Sequence, residues 1–457
     1  MEEERKITHI LIQGKYAKDV KVHAGNVEEA ALARIHAIAA HPAFDGAKIR
    51  IMPDVHDGKG IVIGFTCPMG KYVNPSHIGV DIGCTVSAVF YDKMVERGEQ
   101  IALLEHRIKK AIPTSRDLHE ASKVDMKDFI RFMNNMRNKA CMTSNGLIQY
   151  EEWRGEQDVE KWCRSVNMDY GVFVKSLGTL GSGNHFIEYD VNEELGKYAV
   201  VVHTGSRNLG QKVFHKWDDM ANKASNSKEF RERMRSKVAA IKENWTGDKR
   251  KIKESIEELK EKMRAEAMKN VGYLSGEDLK GYLHDMVIAQ AYARYNHMTI
   301  HSIIGDIMHG LNGAVRAGEI FTTHNYIDFD DMMVRKGAIR SYKGEYMLIP
   351  FNMRDGIAVC EGKSNEDWNF SAPHGAGRLM SRSQAKKSLS LEAYKEQMKN
   401  ADIYSTSLSM GTLDEAPDAY KPMEDIIAQV KGTCTIHYFM KPIMNIKGEE
   451  WEHDNRI

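Results

Sequence analysis

The chain has 457 residues, of which 42% are hydrophobic and 28% are charged. This composition is typical of a globular protein and excludes a mainly disordered chain. Because 64 basic residues balance 64 acidic ones, the molecule as a whole does not attract polyanions, and a nucleic-acid partner would need a local basic patch.

The N-terminal residues lack the basic-then-apolar order of a secretory signal, and no apolar run approaches the roughly 18 residues of a membrane span. The sequence therefore predicts a cytoplasmic protein without a membrane partner. Its six cysteines are scattered and form no Cys-x-x-Cys pair, a pattern that favours neither a zinc ribbon nor a disulfide framework.

Strand-like segments recur along the chain, and most of them end in Gly, His, Asp or Asn. The first lies in residues 6–14, and Asn26 with Glu29 predicts a capping box that opens a helix over residues 27–41. Further strands are predicted over residues 48–55, 60–67, 77–91, 197–207, 319–327, 345–350, 356–362 and 434–448. Polar groups at strand ends are typical of a site built along the rim of a sheet.

Between Phe214 and Gly313 the pattern becomes helical. Helices are predicted over residues 228–245, 249–271 and 279–298, the last one behind a Ser275–Asp278 capping box. Dense Lys and Glu at helical spacing is typical of solvated helix faces. We therefore expect an α+β protein with one catalytic body, residues 1–457, and a helical insertion over residues 214–313.

Five candidate metal ligands lie at or near predicted strand ends. Asp81 and Cys84 stand three residues apart, and His185, His203 and His324 each lie beside a polar neighbour. Any one of them alone is at least as often a buried structural residue. Together they exceed the four ligands of a closed zinc site, which predicts either one open metal or two metals that share the cysteine.

His374 lies in the stretch "SAPHGAGRLMSR", residues 371–382. The glycines let backbone N–H groups approach a bound group, and Arg378 and Arg382 could grip phosphate. His374 could therefore be a covalent nucleophile in nucleotidyl transfer, a ligand or acid in metal-assisted hydrolysis, or a loop histidine with a local hydrogen bond. The spacing of these residues leaves the three alternatives open.

Motifs spread over nearly the whole chain resemble, in order, those of the RtcB family of RNA ligases. They are "MPDVHDGKG" (52–60), "GVDIGC" (79–84), "LGTLGSGNHFIE" (177–188), "HTGSRNLG" (203–210), "HNYI" (324–327), "HGAGRLMSR" (374–382), "DEAPDAYK" (414–421) and "IKG" (446–448). The resemblance implies sheets around a dinuclear metal cleft. It also implies joining of RNA 3′-phosphate or 2′,3′-cyclic phosphate ends to 5′-hydroxyl ends with GTP, in RNA repair or tRNA splicing.

The resemblance also assigns roles to individual residues. His374 would attack the GTP α-phosphate to form a guanylyl–histidine, and Asp54 would assist this step. Two manganese ions are implied, where the Cys/His chemistry alone suggests zinc. One would be held by Asp81, Cys84 and His185, and the other by Cys84, His203 and His324. Nucleotide contacts are expected from Asn184, Glu188, Asn325, Pro350, Asn352, Met353, Gly375, Ala376, Gly377, Arg378 and Lys447.

The chain departs from the family pattern in two places. Residues 350–356 read "PFNMRDG", so that Phe351, Asn352, Arg354 and Asp355 stand where small residues are usual, and Thr85 replaces a glycine after the shared cysteine. The expected partner is RNA with the ends named above, and an activating protein is a further partner to test. The alternatives are a metal-dependent phosphoesterase that opens cyclic phosphates without ligation, and a non-catalytic RNA-binding protein.

Overall fold

The computed structural model describes residues 9–144, 146–223, 228–245, 248–267 and 272–449. Its strands are β1 (Ile10–Ile12), β2 (Asp19–Val22), β3 (Lys48–His56), β4 (Ile63–Pro68), β5 (Thr85–Tyr91), β6 (Phe186–Asn192), β7 (Lys197–Thr204), β8 (Arg316–Thr323), β9 (Tyr326–Asp328), β10 (Met333–Lys336), β11 (Ala338–Arg340), β12 (Tyr346–Asn352), β13 (Gly356–Gly362), β14 (Ser371–Pro373) and β15 (Cys434–Lys447). Among these ranges, no helix combines the length and apolar character needed to cross a membrane.

The α-helices are α1 (Glu29–Ala39), α2 (Glu99–Ala111), α3 (Met126–Thr143), α4 (Glu156–Ser165), α5 (Tyr170–Lys175), α6 (Arg207–Asn222), α7 (Lys228–Asn244), α8 (Lys249–Ala267), α9 (Gly276–Asn312), α10 (Arg382–Ser388), α11 (Leu391–Asn400) and α12 (Met423–Val430). Helix α9 ends at Gly313, whose positive φ of 70° suits glycine and lets its N–H donate to the carbonyl of His309. The mixture of helices and sheets confirms the predicted α+β class.

Two large sheets organise the chain. A six-stranded sheet has the order β1-β2-β3-β4-β10-β9, and a seven-stranded sheet has the order β12-β13-β15-β6-β7-β5-β8. Only β2 and β3 pair in parallel; the other ladders are antiparallel. Strand β7 contains the buried run Val200–Val202, which is typical of a strand covered on both faces.

The seven-stranded sheet curls until its two edge strands meet. The backbone N–H of Leu348 in β12 donates to the side-chain oxygen of Thr322 in β8 at 2.9 Å. Helix α9 packs along this sheet and contributes Tyr292 to one hydrophobic core and Ile300 to a second. The end of the predicted helical segment therefore belongs to the interior of the protein. The segment's status as an insertion stays a prediction.

Several local predictions were wrong for identifiable reasons. Helix α1 begins at Glu29 behind Glu28, and no side chain caps it, so Asn26 does not form the expected capping box. Ser275 does occupy the N-cap of α9, yet its side chain makes no cap hydrogen bond. In the predicted strand 77–91 only β5 is extended, because residues 78–84 form a loop that holds Asp81 and Cys84. Residues 6–8 and 268–271 of other predicted elements lie outside the described ranges.

Candidate functional site

Four neighbouring strand ends bring the predicted metal ligands to one edge of the curled sheet. The first residue of β5, Thr85, pairs with Thr204 at the end of β7 and with Thr323 at the end of β8. The first residue of β6, Phe186, pairs with His203. The loop before β5, the residue before β6, the end of β7 and the residue after β8 therefore meet. These positions hold Asp81, Cys84, His185, His203 and His324.

The ligand atoms of these five residues form two groups that share the thiol of Cys84. One group is Cys84, His203 and His324, and the other is Asp81, Cys84 and His185; within each, the ligand atoms lie within 4.8 Å of one another. The Cys84 sulfur is 3.2 Å from Nε2 of His203 and 3.6 Å from Nε2 of His185. Two metals that share a thiolate would need one sulfur that faces two sets of ligands, and the sulfur of Cys84 has this geometry.

Backbone carbonyls orient two of the imidazoles. Nδ1 of His185 lies 3.1 Å from the carbonyl of Leu180, and Nδ1 of His203 lies 3.1 Å from that of Asn184. Because a carbonyl only accepts, each Nδ1 carries the hydrogen. Nε2 of His203 then presents a lone pair, whereas Nε2 of His185 lies 3.0 Å from Oδ2 of Asp81. Nε2 of His203 is also 3.3 Å from Nε2 of His324. A sulfur and imidazole nitrogens converging in this way fit a soft or borderline divalent cation.

Burial sets the protonation of this cluster. It lowers the pKa values of His203 and His324 well below the ordinary value and raises that of the Cys84 thiol well above it. Burial is the largest single effect on Asp81 and opposes its ionisation, but the combined effects of His185, Cys84 and His324 outweigh burial and bring the pKa of that carboxyl to about 2. Without a cation, neutral imidazoles at His203 and His324 and a protonated Cys84 thiol are therefore favoured.

His374 follows β14 and is anchored by Asp54 of β3, which is fully buried. Nδ1 of His374 lies 2.6 Å from Oδ2 of Asp54, and the backbone N–H of His374 donates to the same oxygen at 3.2 Å. The His374 ring lies beside the ring of His324, with centroids 4.8 Å apart. Hydrogen bonding through Nδ1 leaves Nε2 of His374 available for chemistry.

The approach of the two segments requires glycine at residue 377. Gly377 has a φ of 75°, and a Cβ atom there would stand 2.3 Å from the carbonyl oxygen of Asp54. A side chain at this position would therefore both strain the backbone and push the histidine loop away from β3.

A cleft of about 460 Å³ opens above the cluster. His374, His203 and His324 line it, whereas Asp54, Asp81, Cys84 and His185 do not. All of the residues expected to contact a nucleotide are found in its wall: Asn184, Glu188, Asn325, Pro350, Asn352, Met353, Gly375, Ala376, Gly377, Arg378 and Lys447. The structure thus brings them together although they come from distant parts of the chain.

A buried ion cluster forms one wall of the cleft. Lys447 and Glu415 pair at 3.0 Å with almost no exposure, and Arg378 and Arg382 lie 3.1 and 2.8 Å from the same carboxyl group. Burial opposes the charge of Glu415, yet these three cations hold its pKa below the ordinary value. Arg378 also donates to the carbonyl of Asp414 and faces Tyr420. Its guanidinium is therefore largely engaged within the protein.

The carboxyl group of Glu188 lies close to this cluster, on β6. Burial raises its pKa to about 8, against the opposing effects of Lys447 and of the Asn445 amide that donates to it. The wall of the cleft thus combines the ionised carboxylate of Glu415 with the carboxyl group of Glu188, whose protonation depends on neighbouring charges such as that of Lys447.

The unusual 350–356 segment forms a self-contained turn between β12 and β13. The side-chain oxygen of Asn352 accepts from the backbone N–H groups of Arg354 and Asp355, and its amide donates to Asp355. Arg354 pairs with Asp355 at 2.8 Å. The added charges therefore neutralise each other, and the side chain of Asn352 is already occupied. Phe351 is buried and contributes apolar surface to the cleft.

Sequence reasoning assigned no role to Glu415 and Tyr420, which line the cleft. The Tyr420 hydroxyl donates to Glu415 at 2.6 Å. The signal that could have found them was present, because both residues belong to the "DEAPDAYK" motif. Thr85, the other departure, hydrogen-bonds the carbonyl of Gly83 and the hydroxyl of Thr323, so it ties the ligand loop to β8.

Comparison with known proteins matches residues 34–448 to a family described as tRNA-splicing ligase RtcB. The chain is 27% identical to an RNA-splicing ligase RtcB of Escherichia coli over 425 residues, which cover 88% of this chain and 90% of that protein. It is 25% identical to a tRNA-splicing ligase RtcB of Aeropyrum pernix, with 87% of each chain covered. A tRNA-splicing ligase RtcB of Archaeoglobus fulgidus is 24% identical, with 92% of each chain covered.

Proposed function

We propose an RNA ligase activity for this chain, which belongs to the RtcB family. In this proposal it uses GTP and two manganese ions to join RNA 3′-phosphate or 2′,3′-cyclic phosphate ends to 5′-hydroxyl ends, in RNA repair or tRNA splicing. The relatives with this family name are called RNA- or tRNA-splicing ligases. The single observation that supports the mechanism best is the 2.6 Å contact between Asp54 and His374 at the wall of the cleft.

His374 is the proposed nucleophile. Its Nδ1–H donates to Asp54, so the lone pair on Nε2 can attack the α-phosphorus of GTP. A phosphorus–nitrogen bond forms, the bond to the bridging oxygen breaks, and pyrophosphate leaves with that electron pair. The imidazole of the guanylyl–histidine then carries a positive charge, which the buried carboxylate of Asp54 stabilises across the 2.6 Å contact.

Two transfers complete the proposed reaction. An oxygen of the RNA 3′-phosphate attacks the guanylyl phosphorus, and the bond to His374 breaks, which returns the electron pair to Nε2. The RNA 5′-hydroxyl then attacks the activated 3′-phosphate and displaces GMP. A cyclic phosphate end must first be opened by water. Each step needs an oxygen to approach a phosphorus atom in line with the leaving group, which the fixed walls of the cleft would favour.

The proposed ligands of the two manganese ions are Asp81, Cys84 and His185 for one ion, and Cys84, His203 and His324 for the other. When bound, the ions would neutralise phosphate oxygens and stabilise entering and leaving groups. The support is the pair of three-residue groups that share the sulfur of Cys84.

The nucleotide is proposed to occupy the cleft wall formed by Glu188, Lys447 and the backbone of the 375–377 loop. Backbone N–H groups of Gly375, Ala376 and Gly377 follow the nucleophile directly and would face the phosphates. Because the amide of Asn352 is engaged in its own turn, we expect Pro350, Asn352 and Met353 to contact the nucleotide through backbone and apolar atoms. These three residues would therefore contribute to the shape of the nucleotide site and not to its charge.

Incubation with GTP labelled at the α-phosphate tests the proposal. Wild-type protein with manganese should retain acid-labile label, and His374→Ala should retain none. His437→Ala is the matched control, because His437 is a half-exposed histidine paired with Glu361 away from the cleft. A protein that opens cyclic phosphates but never becomes labelled would instead be a phosphoesterase. RNA substrates with each type of end then identify the ligated pair.

A further inference from the structure

Lys421 lies outside the cleft and holds the main chain on both sides of Asp54. Its ammonium donates to the carbonyl of Val55 at 2.7 Å and to that of Pro53 at 3.3 Å. These carbonyls belong to the residues directly before and after Asp54. A single side chain thus binds the peptide group directly before Asp54 and the one that follows Val55, on both sides of the residue that carries the carboxyl group.

The support matters because the ladder of β3 is interrupted at this point. The antiparallel pairing of β3 with β4 has a register shift between Ile51 and His56. Pro53 has no N–H group to contribute to a ladder. The carbonyl of Asp54 itself lies 2.9 Å from Nδ1 of His56. Side-chain donors therefore hold three successive carbonyls in a stretch where regular pairing with β4 lapses.

Lys421 also contacts the loop that carries His374. Its backbone N–H donates to the carbonyl of Gly377 at 3.0 Å. Gly377 is where the backbone of this loop passes so close to Asp54 that a Cβ atom would stand 2.3 Å from the Asp54 carbonyl oxygen. Lys421, which belongs to the "DEAPDAYK" motif, therefore joins the segment of Asp54 to the loop of His374. Its side chain binds the first segment and its backbone binds the second.

Charge supports the same arrangement. Burial lowers the pKa of Lys421, and the negative charge of Asp54 is the largest of the opposing effects. The ammonium group and the carboxylate are therefore close enough to interact, although they share no direct hydrogen bond among the described contacts.

We propose that Lys421 is a positioning residue for nucleotidyl transfer, which holds Asp54 in the orientation that supports His374. The inference rests on the proposed function, because it concerns the rate at which His374 takes up the guanylyl group. Lys421 touches no residue of the metal cluster in the contacts described above and does not line the cleft. We therefore expect its loss to slow guanylylation without weakening the binding of GTP.

The test compares Lys421→Met with Lys421→Arg by single-turnover guanylylation at saturating GTP and manganese. Methionine removes the donors and the charge at similar length, and we expect the rate to fall about 10- to 100-fold, as small displacements of catalytic groups do. Arginine retains both and should recover most of the rate. The dissociation constant for GTP should stay within about twofold of the wild-type value in both variants. Lys363→Met is the matched control, because Lys363 also donates to a carbonyl, that of Lys431, on the exposed surface.

The double variant Asp54→Ala with Lys421→Met separates positioning from a general structural role. Alanine removes the side-chain oxygens that Lys421 would position, so if Lys421 acts through Asp54, adding Lys421→Met to Asp54→Ala costs less than about twofold more. Independent, multiplicative losses would overturn the inference, as would a Lys421→Met rate equal to wild type or an equal loss in Lys421→Arg. Failure of the wild-type protein to take up label would instead overturn the proposed function and, with it, this inference.

Discussion

Replacing Asp54 tests the proposed nucleophile most directly. Its Oδ2 receives two hydrogen bonds from His374, from Nδ1 at 2.6 Å and from the backbone N–H at 3.2 Å. In Asp54→Asn, an amide oxygen can take the place of Oδ2, so both contacts can remain while the charge is lost. A hydrogen bond to a charged group contributes about 1.5–3 kcal/mol and a neutral one about 0.5–1.5 kcal/mol. We therefore expect a loss of about 1–2 kcal/mol, or roughly 5- to 30-fold in the rate of guanylylation.

Asp54→Ala removes both contacts and should cost at least about 3 kcal/mol, or about 150-fold. The assay is single-turnover uptake of label from GTP at saturating nucleotide and manganese, with GTP binding measured separately so that only the chemical step is compared. The other oxygen, Oδ1, is buried without a hydrogen-bond partner in the described structure. Asparagine would bury an unpaired NH₂ group there, so thermal unfolding must confirm that each variant is folded. Labelling of Asp54→Ala within about twofold of wild type would refute the proposed role of the carboxylate.

Further predictions concern the metal cluster and the wall of the cleft. Cys84→Ala should lose more bound manganese than His203→Ala or His324→Ala, because only Cys84 belongs to both ligand groups; full metal content by elemental analysis would contradict the shared site. Metal loading should rise with pH, since the raised pKa of the buried Cys84 thiol means that a proton must leave before the sulfur binds; a flat profile in equilibrium dialysis between pH 6 and 9 would oppose this. Glu415→Gln leaves the buried Lys447 ammonium without its anion, so we expect unfolding to become easier by about 3–5 kcal/mol and the melting temperature to fall by roughly 3–5 °C. The stability that Glu415 contributes should be present above the unfolded-state pKa of its carboxyl group and be lost as the pH falls through the depressed folded-state pKa. Calorimetry of the wild-type protein and of Glu415→Gln at several pH values measures this contribution. A stability difference that does not change with pH would contradict an ion pair at this position.

The sequence predicted the strands that carry regular apolar patterns and missed those without them. Residues 356–362 and 48–55 were correctly placed because β-branched residues recur at alternate positions there, Ile357 with Val359 and Ile49 with Ile51. Short strands such as β14 were missed, because Ser371–Pro373 has no strand pattern and is held by its pairing with β11. The capping geometry of α1 was also missed, because the helix begins at Glu29 and its N-cap residue, Glu28, forms no side-chain hydrogen bond.

The candidate site shows a similar division. Motif resemblance named its residues, and the structure places His374, His203, His324 and the expected nucleotide contacts in the wall of one cleft. Motif resemblance could not reveal that the side chains of Arg378 and Asn352 form hydrogen bonds within the protein. Their partners, such as Asp414 and Asp355, are determined by the folded structure. Nor could it single out Lys421, whose importance comes from two carbonyls more than 360 residues earlier.

The position of the last strand has a consequence for how the protein is made. Strand β15 lies between β13 and β6, in the interior of the seven-stranded sheet. During synthesis, β6 and β7 leave the ribosome long before the strand that must be inserted beside them. The cleft can therefore close only after Cys434–Lys447 has left the ribosome, and a nascent chain is expected to expose unpaired sheet edges to chaperones until then.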